Sequence, residues 1–182
     1  MTRYVRSAFA VVAVALAFSA SGTQAQIGFS IAGGPTFATG DGGDGLDMGY
    51  HAVVSAAFSL PVLPVGLQAD GMFTRFNLSD PFEGHQQVLN GSLNAVLSIP
   101  SVGITPYIIG GVGFYQTSGE VDEVEFEKST DIGVNVGAGV RLGLPGIGGV
   151  FAEARLHNVF GDDDAGESSS FRFVPVSLGI RF

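Results

Sequence analysis

The final stretch of the sequence, FRFVPVSLGIRF, alternates apolar with small or polar side chains up to its last residue. Val174, Val176, Leu178, Ile180 and Phe182 fall on one side, and Pro175, Ser177, Gly179 and Arg181 on the other. A period of two describes a strand with one apolar face. A strand that closes on an aromatic suits a lipid–water boundary, where aromatic side chains form girdles. A soluble β-sandwich would also use alternating strands, so the rest of the chain has to separate the two.

The first 25 residues read as a secretory signal peptide. Arg3 and Arg6 supply a positive start and an apolar run follows from Ala8 to Phe18. Thr23 and Ala25 then place small residues before a cut after Ala25. The apolar part is too short to span a bilayer as a helix. Residues 1–25 are therefore set apart from the fold, and 26–182 are expected to form one domain. That domain has no cysteine, which excludes a disulfide framework and a thiolate zinc site. No later stretch is apolar for long enough to be a transmembrane helix. Yet the chain is rich in Gly (28) and Phe (15), and only 14% of it is charged. A β-barrel in lipid accounts for this combination, because its outer face is apolar while its strands are short.

Eight segments carry the alternation: 27–37, 49–60, 65–76, 88–99, 104–116, 132–142, 150–160 and 171–182. The clearest is 88–99, where Leu89, Leu93, Ala95, Leu97 and Ile99 oppose Asn90, Ser92, Asn94 and Ser98. Segment 104–116 is apolar on both sides; Tyr107, Gly111, Gly113 and Tyr115 are expected to face inward. The connections alternate in kind. LPVLPV, IPSVGI and LPGIGG are short and uncharged, whereas 38–47, 77–87, 117–131 and 161–170 are longer and acidic. Short turns on one side and long loops on the other are the pattern of an outer-membrane barrel. The fold expected is all-β, an eight-stranded antiparallel up-and-down transmembrane β-barrel in the cell outer membrane. Its short turns would be periplasmic and its long loops extracellular.

PYIIGGVGFY (106–115), VFAEARLH (150–157) and FVPVSLGIRF (173–182) resemble the small outer-membrane β-barrel domain family that includes OmpA- and OmpX-like proteins. The resemblance implies a fold and a location rather than an activity. It also implies that Phe182 ends the signal strand presented to the barrel-assembly machinery, although Ser177 stands where that signal has glycine. With no peptidoglycan-binding domain after Phe182, a stand-alone barrel is expected.

The inward parity gathers an interior charge cluster of Asp70, Arg141, Glu153, Arg155, His157 and Arg181. Folding the hairpin about Gly146 brings Glu153 diagonal to Arg141, which predicts an ion pair between them. An eight-stranded lumen is just wide enough for side chains to fill it, and charges there must be paired. The cluster is expected to be structural. His157 resembles the histidine of the lipid A deacylase barrels, but their serine two positions later is Val159 here, so no catalytic set is assigned. Arg75 and Arg172 fall on the lipid side near the extracellular rim and are candidates for lipopolysaccharide phosphates. Asp41, Asp44, Asp47, Asp162, Asp163 and Asp164 are weak candidates for divalent cations at the loops. The stretch GGDGLD matches the opening of a calcium-binding repeat but occurs once. A net charge of −9 argues against a nucleic-acid partner, and no cofactor is expected. The expected role is structural or surface-interacting. The alternatives are a narrow channel or small-solute binder and, behind it, a lipid A-modifying enzyme. Pro35 and Pro175 sit in the first and last segments, which predicts an interrupted or bulged ladder where the barrel closes.

Overall fold

The computed structural model describes residues 26–59, 65–79, 84–99, 101–121, 124–125, 128–144, 148–162 and 168–182. The proposed signal peptide lies outside them. The strands are β1 (Gln26–Thr39), β2 (Gly49–Ser59), β3 (Val65–Asn77), β4 (Gly84–Ser98), β5 (Ile104–Val121), β6 (Ser129–Leu144), β7 (Gly148–Asp162) and β8 (Ser168–Arg181). Each pairs antiparallel with its neighbours in sequence, and β1 pairs with β8 to close the sheet. Closure removes the exposed edge, which a strand in lipid cannot leave open. A two-residue strand, Val124–Glu125, turns back on the end of β5.

The alternation read from the sequence is the alternation of the wall. Outward residues form an exposed apolar belt that includes Leu93 (69% exposed), Leu178 (71%), Leu67 (63%) and Val136 (61%). Inward positions hold buried polar groups such as Gln68, Asp70, Asn90, Asn94, Glu153 and Arg155. This is a soluble barrel turned inside out, so lipid is its solvent. In the ambiguous strand β5, Tyr107 and Tyr115 are buried, while Ile108, Val112 and Phe114 face out, as expected. The two tyrosines fit because glycine lies beneath them. A Cβ on Gly139 would run into the Tyr107 ring, and one on Gly133 into the Tyr115 ring. Large against small fills a narrow lumen.

The expected loops are shorter than the sequence suggested. His85 pairs with Glu120 and Gln87 with Ser118, so β4 and β5 continue their ladder well into stretches assigned to loops. Thr117 likewise pairs with Ser129 of β6. Above the lipid both faces of a ribbon meet polar surroundings, so no apolar period marks these strand ends.

Candidate functional site

The middle of the lumen is a polar network built across the barrel. Arg155 of β7 reaches Asp70 of β3, with Nη1 to Oδ2 at 2.5 Å. Those strands stand opposite each other in the ring. The same guanidinium pairs through Nε with Glu153, two residues away on β7. Two carboxylates on one guanidinium leave an excess negative charge, and neutral donors offset it. Gln68 Nε2 donates to Asp70 Oδ1 at 2.9 Å, and Asn94 Nδ2 donates to Asp70 Oδ2 at 2.9 Å. The Tyr107 hydroxyl donates to Glu153 Oε2 at 2.8 Å. Asn135 Nδ2 extends the chain to Asn94 Oδ1 at 2.8 Å. Bonds of this charge-assisted kind stabilise most where water is excluded.

The expected pair between Arg141 and Glu153 is not formed. Glu153 is taken by Arg155 and Tyr107. Arg141 instead lies over the Tyr107 ring, 4.0 Å from its centroid, and donates to Ser98 Oγ at 3.5 Å. Diagonal reach along one hairpin lost to Arg155, two residues along the same strand, and to the Tyr107 hydroxyl of β5. The six residues grouped by the sequence thus divide into three sets: Asp70, Glu153 and Arg155 at mid-height, His157 above, and Arg141 with Arg181 below.

His157 belongs to an aromatic plug at the long-loop end. Its ring stacks on Phe173 at 4.8 Å with a 12° tilt, and its Nδ1 shares a hydrogen bond of 2.9 Å with the Tyr115 hydroxyl. Phe76 packs edge-on against Phe171 and Phe173. Met72, Val88 and Val159 complete the buried cluster, with Leu46 from the first loop packed against it. Between plug and ion network lies a void of about 10 Å³ beside Asn90 and His157, room for about one water. The Asn90 amide and His157 Nε2 have no protein partner there.

At the barrel seam, β1 and β8 pair from Ser30↔Arg181 to Gly33↔Leu178 and resume at Thr36↔Pro175. The register is the same on both sides, so the ladder is interrupted rather than bulged. Pro175 has no N–H to give. On its other side the ladder to β7 also skips, from Ala154↔Val176 to His157↔Phe173. The strands do not part, since a Cβ on Gly34 would run into the Val176 carbonyl. His51 of β2 crosses the gap from inside. Its Nδ1 lies 2.9 Å from Thr36 Oγ1 on β1, and its Nε2 lies 2.8 Å from Ser177 Oγ on β8. Sequence reasoning missed His51 because its partner Ser177 is 126 residues away. A serine, a histidine and a hydroxyl in a row are the beginnings of a nucleophile. All three are buried, and the void beside Ser177 is the one of about 10 Å³. The row links β1, β2 and β8 like a staple.

Around the rims, Arg172 is exposed and its Nε donates to Asn158 Oδ1 at 2.8 Å. Arg75 pairs across strands with Tyr50 and Gln87. The two arginines sit on β3 and β8, with β2 and β1 between them. Asp41 lies in a single 3-10 turn, Asp41–Gly43. Asp44 is exposed, and Asp47 accepts from Ser79 Oγ at 2.7 Å in a contact joining the first two loops. Asp162 ends β7, and Asp163 and Asp164 lie outside the described residues. Among the described residues no cluster of three metal-ligating side chains forms. Phe182 is exposed on the lipid side, and its backbone N–H donates to Phe29 at 2.8 Å.

No family model matches the sequence, and no curated protein matches it. Solved structures do. Neisserial surface protein A has a TM-score of 0.67 at 16% identity, over 88% of this chain and 98% of that one. A major outer membrane protein of Thermus thermophilus gives 0.57 at 17%, over 86% and 100%. Ail, the attachment invasion locus protein of Yersinia pestis, solved with the heparin analogue sucrose octasulfate, gives 0.54 at 14%, over 87% and 99%. At such identities the likeness is one of fold. That fold is the closed eight-stranded antiparallel barrel of the outer membrane, matched along nearly the whole of each solved chain.

Proposed function

We propose that this barrel is a non-conducting outer-membrane platform whose acidic loops meet the cell's surroundings. The observation that carries the reading is the filled lumen: the aromatic plug above, the ion network at mid-height, and described voids of about 10 Å³ above and below that network. A barrel so filled offers a solute no path, which leaves its outer surfaces to work with. The first two loops are tied to each other by Asp47 N–H to the Asn77 carbonyl and Ser79 N–H to the Gly45 carbonyl. Ail was solved with an anionic heparin analogue. The acidic loops here favour the opposite, a cationic partner or bridging divalent cations. Arg75 and Arg172 suit lipopolysaccharide phosphates at the rim, and Phe182 suits recognition by the assembly machinery. In planar bilayers the pure protein is expected to give no stable conductance step. Large, lasting steps would favour the channel reading and sink this one.

A second reading, a lipid-modifying enzyme, draws on the Ser177–His51–Thr36 row at the interrupted seam. The buried setting of that row weighs against it. Expression that changes the mass of lipid A would revive it.

A further inference from the structure

The side chains at the periplasmic end of the barrel carry charge of one sign. Of the 17 acidic residues, Asp70 and Glu153 lie inside the lumen. Every other acid falls in the four long connections or in the strand ends that carry them. No acid precedes Asp41, and the three short connections contain none. Arg141 and Arg181 therefore face the periplasmic mouth with no carboxylate side chain at that end. Among the described residues neither makes an ion pair. Both are partly buried, and both line one open basin of about 550 Å³.

Glycine makes the room between them. Across the ladder Arg141 is level with Phe151, while Arg181 is level with Gly149 and, beyond it, Gly143. The Phe151 ring lies over Gly179 and forms part of the basin wall beside the two arginines. Arg181 itself lies over Gly28, where a Cβ would meet its guanidinium. The lip of the basin is formed by Ile27, Leu142 and Phe182, which belong to the outward apolar face. A cationic floor thus runs into a lipid-facing edge, at the depth where the inner leaflet carries its headgroups.

We propose that this periplasmic mouth is a phosphate-binding site, with Arg141 and Arg181 holding the phosphate and the glycine floor making space for it. The guanidinium fork matches phosphate oxygens, and two forks share one divalent or ester phosphate well. The anion relieves the repulsion between two partly desolvated cations. The apolar lip favours a phospholipid headgroup, whose chains follow Ile27 and Leu142 down the wall. Free phosphate uses the same arginines without the lip.

The test is calorimetric titration of the folded protein in a maltoside detergent. Dihexanoyl phosphatidylglycerol and inorganic phosphate serve as separate titrants. Saturable binding of the lipid is expected, weakened on the order of tenfold or more by Arg141→Gln with Arg181→Gln. Gly143→Phe provides a second variant that keeps both arginines. A Cβ there meets nothing within 4 Å, so the ring fills the basin without strain and should weaken binding as much. Folding of each variant is checked by the shifted mobility of the unboiled barrel. Phosphate binding as tightly as the lipid assigns the site to the free ion, and tighter lipid binding assigns it to the headgroup. Failure of both titrants to saturate overturns the proposal, as does binding unchanged in the variants.

Discussion

Arg155 spans the lumen because an eight-stranded ring is narrow enough for one long side chain to cross it. The sequence shows that Arg155 and Asp70 both point inward. It does not show that they meet, because a cross-strand argument compares only neighbouring strands. The unformed Arg141–Glu153 pair has a nearer cause: Arg155, two residues along the same strand, and Tyr107 already occupy that carboxylate. The true arrangement predicts where energetic coupling resides. In a double-mutant cycle of Glu153→Gln and Arg155→Met, urea unfolding from lipid vesicles should show coupling of about 2 kcal/mol. The cycle of Glu153→Gln with Arg141→Met should show much less, since Tyr107 stands between them. Equal coupling in the two cycles would return Arg141 to the partner first expected. Removing Glu153 alone, as Glu153→Ala, should cost about 1–3 kcal/mol, because the Tyr107 hydroxyl loses its acceptor while Arg155 keeps Asp70.

Elements were legible wherever one face met lipid. Alternation alone fixes the facing of β2, β3, β4, β6 and β8. In β5, where both faces are apolar, the inward side was found from Tyr and Gly, which suit a tight lumen better than Ile or Val. Strand ends above the lipid were not legible, since polar ribbon and polar loop have similar compositions. The seam was half legible: two prolines announced a broken ladder, but nothing announced the histidine that spans it. His51 replaces missing backbone bonds between β1 and β8 with two side-chain bonds. His51→Ala should therefore lower stability by about 2 kcal/mol, from two buried hydrogen bonds of about 1 kcal/mol each. The signature is where the effect falls. Amide exchange should quicken in β1 and β8 on both sides of the gap, while β4 and β5 stay protected. Uniform quickening around the ring would mean that His51 supports the core in general and not the seam.

The whole molecule is polarised along its axis. The long-loop end holds nearly all the acid, and the short-turn end has no charged side chain apart from the two arginines within its mouth. Carrying a carboxylate through hydrocarbon costs about 2.5–3.5 kcal/mol even by the lower estimates, and the loop end would have to carry many. The turns between β2 and β3, β4 and β5, and β6 and β7 are built of Leu, Pro, Val, Ile, Ser and Gly, and cross at little cost. Insertion from one side of a bilayer should therefore be one-way, with short turns leading and loops left behind. Urea-unfolded protein diluted into preformed phosphatidylcholine vesicles should fold with its loops outside. A Glu-specific protease added to the outside has sites at Glu83 and Glu167, in the second and fourth long connections. It should cut nearly every folded molecule. Protection of about half of them would mean that either end can lead, and that the charge asymmetry does not set orientation.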